Sequence, residues 1–211
     1  MKKPLINILT RTSNRPNYFR NCFESVKNQT YDNINHIISV DDDITEEYVK
    51  KYTDNYIKVK RTGVKKPPVG VRRYAPYNLY LNYLKNQVKD GWIMFLDDDD
   101  SFTNNDSLES IVNKIENVNQ LLLWKVEFPG RIIPNNNIFN KKIIVLNNFS
   151  MIGFMYHKKY DDIMFDDYSG GDFYFMKNLF PKIPNKIWVD EIYTKVQRNN
   201  MGGFGKRDDL K

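Results

Sequence analysis

Short apolar runs alternate with longer amphipathic stretches over the first 120 residues. Residues 6–10, 36–40, 56–60 and 92–96 are brief and rich in β-branched and aromatic side chains, so each reads as a strand. Between them, Tyr18, Phe19, Cys22, Phe23 and Val26 recur at helical spacing behind Pro16 or Asn17. Thr45 predicts the cap of a second helix running to about Tyr52. Residues 62–71 are a Lys-, Pro- and Gly-rich loop, and residues 72–88 predict a longer helix with Tyr77, Leu81 and Leu84 inward and Pro76 in its first turns. A further helix from Asn105 or Asp106 carries Leu108, Ile111, Val112 and Ile115. Strand–helix alternation of this kind predicts an α/β fold with a mainly parallel sheet flanked by helices.

After Gln120 the pattern changes. Residues 121–128, 131–134 and 143–146 predict antiparallel strands, and 154–157 a short strand before a turn at Lys158-Lys159. A helix is expected over 173–179 and a last strand within 188–197. We therefore expect one domain over 1–211, with a first half over 1–120, a second over 121–197 and a flexible, basic, glycine-rich tail over 198–211.

With 41% hydrophobic and 14% aromatic residues, the chain is not disordered as a class. No apolar run has the length of a bilayer span, and Met1-Lys2-Lys3-Pro4 leads into the first strand without a signal-peptide pattern. The lone Cys22 cannot form an internal disulfide, which fits a reducing compartment and reads as a small apolar helix residue. Together these predict a cytoplasmic protein, soluble or peripherally associated with a membrane. The net charge of +6 permits an anionic partner, but the basic residues are scattered, which argues against nucleic acid.

The acidic residues, by contrast, gather in two blocks at 41–43 and 97–100, each directly after a strand. Four adjacent carboxylates, Asp97 to Asp100, repel one another and are costly to bury unless cations or donors meet them. Hard cations such as Mg²⁺ and Mn²⁺ take such oxygen ligands, commonly together with substrate phosphates. Open α/β sheets bind ligands at the carboxyl ends of their strands, where both blocks fall. The alternative reading is an acidic loop at the start of the next helix.

At these residues the chain resembles the inverting family 2 glycosyltransferases of the GT-A fold, over about residues 4–180. The matching segments are Ile6-Asn7-Ile8-Leu9-Thr10-Arg11, Ser25-Val26-Lys27-Asn28-Gln29-Thr30-Tyr31 and Ile37-Ile38-Ser39-Val40-Asp41-Asp42. They continue with Arg72-Arg73-Tyr74-Ala75-Pro76-Tyr77-Asn78, Phe95-Leu96-Asp97-Asp98-Asp99-Asp100 and Gly171-Asp172-Phe173. The resemblance implies transfer of a sugar from a nucleoside-diphosphate donor, UDP favoured, to a hydroxyl of a glycan, lipid or protein, with Mn²⁺ or Mg²⁺. It implies nucleotide contacts from Thr10, Arg11, Asp41, Asp42, Arg73, Asp97 and Asp98, with Asp41 nearest the base and Asp97 near the ribose. Asp99 and Asp97 would hold the metal, with Asp98 and Asp100 supporting, and Asp172 would be the general base.

Gly171 and Trp124 are candidates for the acceptor wall. The family's downstream His is missing from the tail, where Arg198, Lys206 and Arg207 are candidates to meet the diphosphate instead. His36, His157 and Trp188 read as structural.

Two other readings stand beside this one. A nucleotidyltransferase would want a glycine-rich phosphate loop after the first strand, and residues 9–16 contain no glycine. A non-catalytic sugar-binding module would be favoured by loss of Asp97, Asp99 or Asp172, and all three are present.

Overall fold

A computed structural model describes residues 3–60, 72 and 75–197. The first half follows the expected alternation: β1 (Ile6–Arg11), α1 (Pro16–Lys27), β2 (Ile34–Val40), α2 (Asp43–Val49), β3 (Tyr56–Lys58), α3 (Asn78–Gln87) and β4 (Trp92–Phe95). Strands β3, β2, β1 and β4 are parallel neighbours in that order. Alternate residues of β4 serve two cores. Trp92 and Met94 pack with Ile6, Ile8, Cys22 and Leu108 on one face, while Ile93 and Phe95 pack with Leu81, Leu84, Phe154 and Phe175 on the other. That two-sided burial is why the strand reads as an unbroken apolar run.

The second half adds β5 (Asp100–Phe102), α4 (Ser107–Val112), β6 (Gln120–Phe128), β7 (Arg131–Ile133), α5 (Asn136–Lys141), β8 (Phe154–His157), α6 (Gly171–Leu179) and β9 (Asn185–Val196). The sheet continues from β4 through β8, β6 and β9 to β5, with β7 paired to β6. Strand β8 is antiparallel to both β4 and β6, β9 is parallel to β6, and β5 is antiparallel to β9. The result is a GT-A-like Rossmannoid fold, a mixed sheet flanked by helices. No helix among the described residues is long and apolar enough to cross a membrane.

Four expectations are corrected. The helix expected over 72–88 starts at Asn78, because Pro76 disfavours helical backbone at the residue before it. Helix α2 is capped by Asp42, whose Oδ1 accepts from the Thr45 backbone N–H at 2.8 Å, so Thr45 lies inside the helix. No strand forms over 143–146; the nearby regular element is α5, capped by Asn135 through the Ile138 N–H and ended by Lys142 in left-handed backbone (φ 54°). Finally, the acidic block does not run on toward a helix. Its last member, Asp100, opens β5, and the backbone of Asp99 and Asp100 accepts two hydrogen bonds from Gln197, just beyond β9.

Candidate active site

The aspartate block sits where β4 ends and β5 begins, beside the carboxyl end of β1. Asp97, Asp99 and Asp100 each offer an oxygen, and these atoms lie within 4.8 Å of one another. Burial, and then the charges of Asp99 and Asp97, push the Asp100 carboxyl well above the ordinary carboxylate range. Hard oxygen donors held this close, with charge repulsion between them, fit a divalent cation of the Mg²⁺ or Mn²⁺ kind. Asp99 and Asp97 were the sequence candidates for this role; the fold brings Asp100 to them.

Two guanidinium groups meet the block, Arg11 from the end of β1 and Arg15 from just before α1. Arg11 donates through Nε and Nη2 to the two oxygens of Asp97, at 2.8 and 2.7 Å. Its third contact runs from Nη1 to Asn78 Oδ1 at 3.0 Å. Arg15 pairs with Asp98 and reaches Asp99 Oδ2 at 3.2 Å. Asp98 is fully buried and also accepts from the Thr12 hydroxyl at 2.7 Å, so its place is inside the scaffold and not on the cleft wall. Arg15 was not among the sequence candidates. The signal for it was charge: a block of four carboxylates, two of them buried, needs cations, and Arg11 and Arg15, at the end of β1 and just before α1, are the cations that the sheet brings beside it.

Thr10 is likewise turned inward. It is fully buried, and its hydroxyl donates to Leu96 O at 2.7 Å, tying β1 to the end of β4. With that proton committed, His36 Nε2, 2.8 Å away, must be the donor to Thr10. Burial lowers the His36 pKa to about 3, so the ring is neutral and structural. The side chain of Thr10 therefore offers nothing to a nucleotide in this arrangement. Asp41 stands at the end of β2 and accepts from Ser13 Oγ (2.9 Å) and Tyr80 Oη (3.1 Å). Asp42 is spent on its helix cap. Arg73, Arg198, Lys206 and Arg207 lie outside the described residues.

Helix α6 begins after Gly170, whose φ of 76° is left-handed backbone that suits glycine. Asp172 is thus one residue inside the helix and is not its cap. Its Oδ1 accepts from the Phe173 N–H at 2.8 Å. Burial raises its pKa, which favours uptake of a proton, and the charges of Arg11 and Asp97 reach it in opposite directions. Gly171 has a different reason from the one expected: a Cβ there would lie 2.5 Å from Asn78 Nδ2, so the close neighbour is Asn78. Trp124 is not an acceptor wall. It is 1% exposed, sits in the core against Tyr193, and donates from Nε1 to Thr194 Oγ1 at 3.0 Å.

A metal-capable acidic cluster at the carboxyl edge of such a sheet, within electrostatic reach of a half-buried carboxylate, marks a class of nucleotide-sugar enzymes. The sequence pattern of glycosyl transferase family 2 matches residues 8–182, and the chain belongs to that family. EpsH of Bacillus subtilis (strain 168), named as a glycosyltransferase, is 43% identical over 65 residues, covering 28% of this chain and 18% of that protein. Among solved structures, S. aureus TarS superposes with a TM-score of 0.70 at 17% identity, over 93% of this chain and 37% of that one. TarS 1-349 in complex with UDP-GlcNAc gives 0.67 at 18%, covering 92% and 59%. The mannosyltransferase PcManGT from Pyrobaculum calidifontis, in complex with GDP-Man and Mn²⁺, gives 0.65 at 12%, covering 98% and 59%. The chain therefore spans less than two thirds of each of these proteins, and at these structural identities the likeness is one of fold.

Proposed function

We propose that this chain is an inverting glycosyltransferase domain that moves a sugar from a UDP-sugar to a hydroxyl of a glycan, lipid or protein. The observation that carries the reading is the cluster of Asp97, Asp99 and Asp100 set within electrostatic reach of a half-buried Asp172. Asp99 and Asp97 would hold Mn²⁺ or Mg²⁺, with Asp100 beside them. When bound, the ion supplies positive charge to the diphosphate that leaves. Asp172 takes the proton of the acceptor hydroxyl, whose oxygen forms the new bond to the anomeric carbon. The bond from that carbon to the diphosphate breaks, and its electron pair departs with the nucleotide. Asp41, with Arg73, would contact the base. The choice of uridine is supported by the fold shared with TarS 1-349, solved with UDP and with UDP-GlcNAc.

Thermal-shift titration with UDP and with GDP, each with and without Mn²⁺, tests this. UDP at about a hundred times its Kd should raise the melting temperature by roughly 5–10 °C. Most of that gain should require Mn²⁺ and vanish in Asp99→Ala. A larger response to GDP overturns the choice of base. An unchanged Mn²⁺-dependent response in Asp99→Ala overturns the metal site.

A further inference from the structure

We infer that Asn78 is a positioning residue that couples the donor-side carboxylate Asp97 to the backbone bearing Asp172. The inference rests on the donor and base roles proposed above and adds the link between them.

Asn78 is the first residue of α3 and is 7% exposed. Its Oδ1 accepts from Arg11 Nη1 at 3.0 Å, and Arg11 grips both oxygens of Asp97. Its Nδ2 donates to the backbone carbonyl of Tyr168 at 2.8 Å. The two neighbours fix the orientation of the amide, since a guanidinium can only donate and a carbonyl can only accept. Among side chains of this length only asparagine presents an acceptor and a donor in that arrangement. Aspartate would keep the bond from Arg11 and set an oxygen against the Tyr168 carbonyl. Leucine would lose both.

The third contact is steric. Gly171 packs so closely on the Asn78 amide that a Cβ would lie 2.5 Å from Nδ2. The residue next to the proposed base is thus seated directly on Asn78. The rest of the 161–169 segment is already fastened to α3 and to the residues that precede it. Asn82 exchanges two hydrogen bonds with the Phe165 backbone at 2.9 Å each, the Ala75 N–H donates to Asp167 O at 2.7 Å, and Arg72 donates to Ser169 O at 3.0 Å. Those bonds fix the strap to the helix. Asn78 joins it onward, through Arg11, to the aspartate block. Two sites joined through one well-oriented, nearly buried group are expected to be energetically coupled.

Hydrogen exchange with UDP and Mn²⁺ as the probe reads this coupling directly. In the wild-type chain, ligand should slow exchange of amides 97–100, and also of 168–173 by about threefold or more, the scale of a contact coupling of that size. In Asn78→Asp the helix start tolerates the added charge. There the protection at 97–100 should persist while that at 168–173 falls by at least half. Gly171→Ala, which crowds the same amide, should give the same split. Equal protection of 168–173 in wild type and both variants overturns the inference, as does a wild-type response confined to 97–100. A wild type that responds nowhere overturns the donor reading, and the inference with it.

Discussion

Strand β4 carries a buried charge cluster at each end, and the two are built on different principles. Beyond its carboxyl end, the four aspartates 97–100 are met by two guanidinium groups, Arg11 and Arg15. Near its amino end, where Trp92 pairs with His157 of β8, the balance is reversed. There Asp161 accepts from Lys85 at 3.0 Å, Lys158 at 2.7 Å and the Tyr156 hydroxyl at 2.6 Å. Burial lowers the pKa of Lys85, and the same burial makes its partner indispensable, because an unpaired ammonium there has no water to turn to. The amino-end cluster is closed: every ammonium has its carboxylate or a carbonyl, and nothing remains to be bound. The carboxyl-end cluster is short of positive charge among the described residues. A site is where the charge balance is left open for a ligand to complete.

The sharpest way to break this comparison is to remove the closed cluster's acid. Asp161→Ala should lose about 3–5 kcal/mol of stability, read by urea denaturation, because it strands two ammonium groups. A melting curve like that of the wild type would show that the cluster is no lock. Next in size, Asp172→Asn should lower transfer about 100-fold or more while melting with the wild type. Near-normal turnover would remove Asp172 from the chemistry. Asp99→Asn should change stability by no more than about 1 kcal/mol, since it relieves repulsion as well as losing a partly exposed ion pair. Calorimetry should find the Mn²⁺ response gone in the same sample; a large destabilisation would place Asp99 with the structural acids.

The smallest effect belongs to a surface cluster. Glu46, bonded to Lys50, Lys58 and Tyr56, has a pKa lowered to about 2 by those hydrogen bonds. A carboxylate depressed in the folded state adds stability that is full above its ordinary value of 4.5. That contribution falls away as pH drops toward about 2. The difference in melting temperature between wild type and Glu46→Gln should therefore shrink over that window; a constant difference would mean the ion pairs contribute nothing.

The parallel half of the sheet was legible because its strands are apolar on both faces and its helices carry an apolar stripe. Asp97 was legible for the same reason, as the first polar residue after such a run. The strand at Asp100 was not, since its partner is Val196 and nothing local signals pairing at that distance. Residues 143–146 misled through β-branched content, while the Asn135 cap beside them carried the helical signal that won. Thr10 was assigned outward by resemblance to a motif and Trp124 because an aromatic face suits a sugar ring, yet a one-dimensional pattern does not state which face a side chain takes. Asn78 is the converse case. Its place in the motif was visible, but its two bonds run to Arg11 and Tyr168, residues that only the fold brings together.

The pairing of β5 with β9 also sets an order of events. Asp97 follows closely on β4 of the first half, whereas the backbone of Asp99 and Asp100 is held by Gln197, at the far side of the described chain. During synthesis from the amino terminus all four acids emerge long before the strand that braces two of them. Closing so long a loop is slow relative to local pairing. The parallel core can form around an acidic block whose geometry is still unset, and competence to hold a cation arrives when β9 docks. Pulse-labelled exchange during refolding should accordingly find amides 100–102 protected together with 194–196, and later than those of β1 and β4.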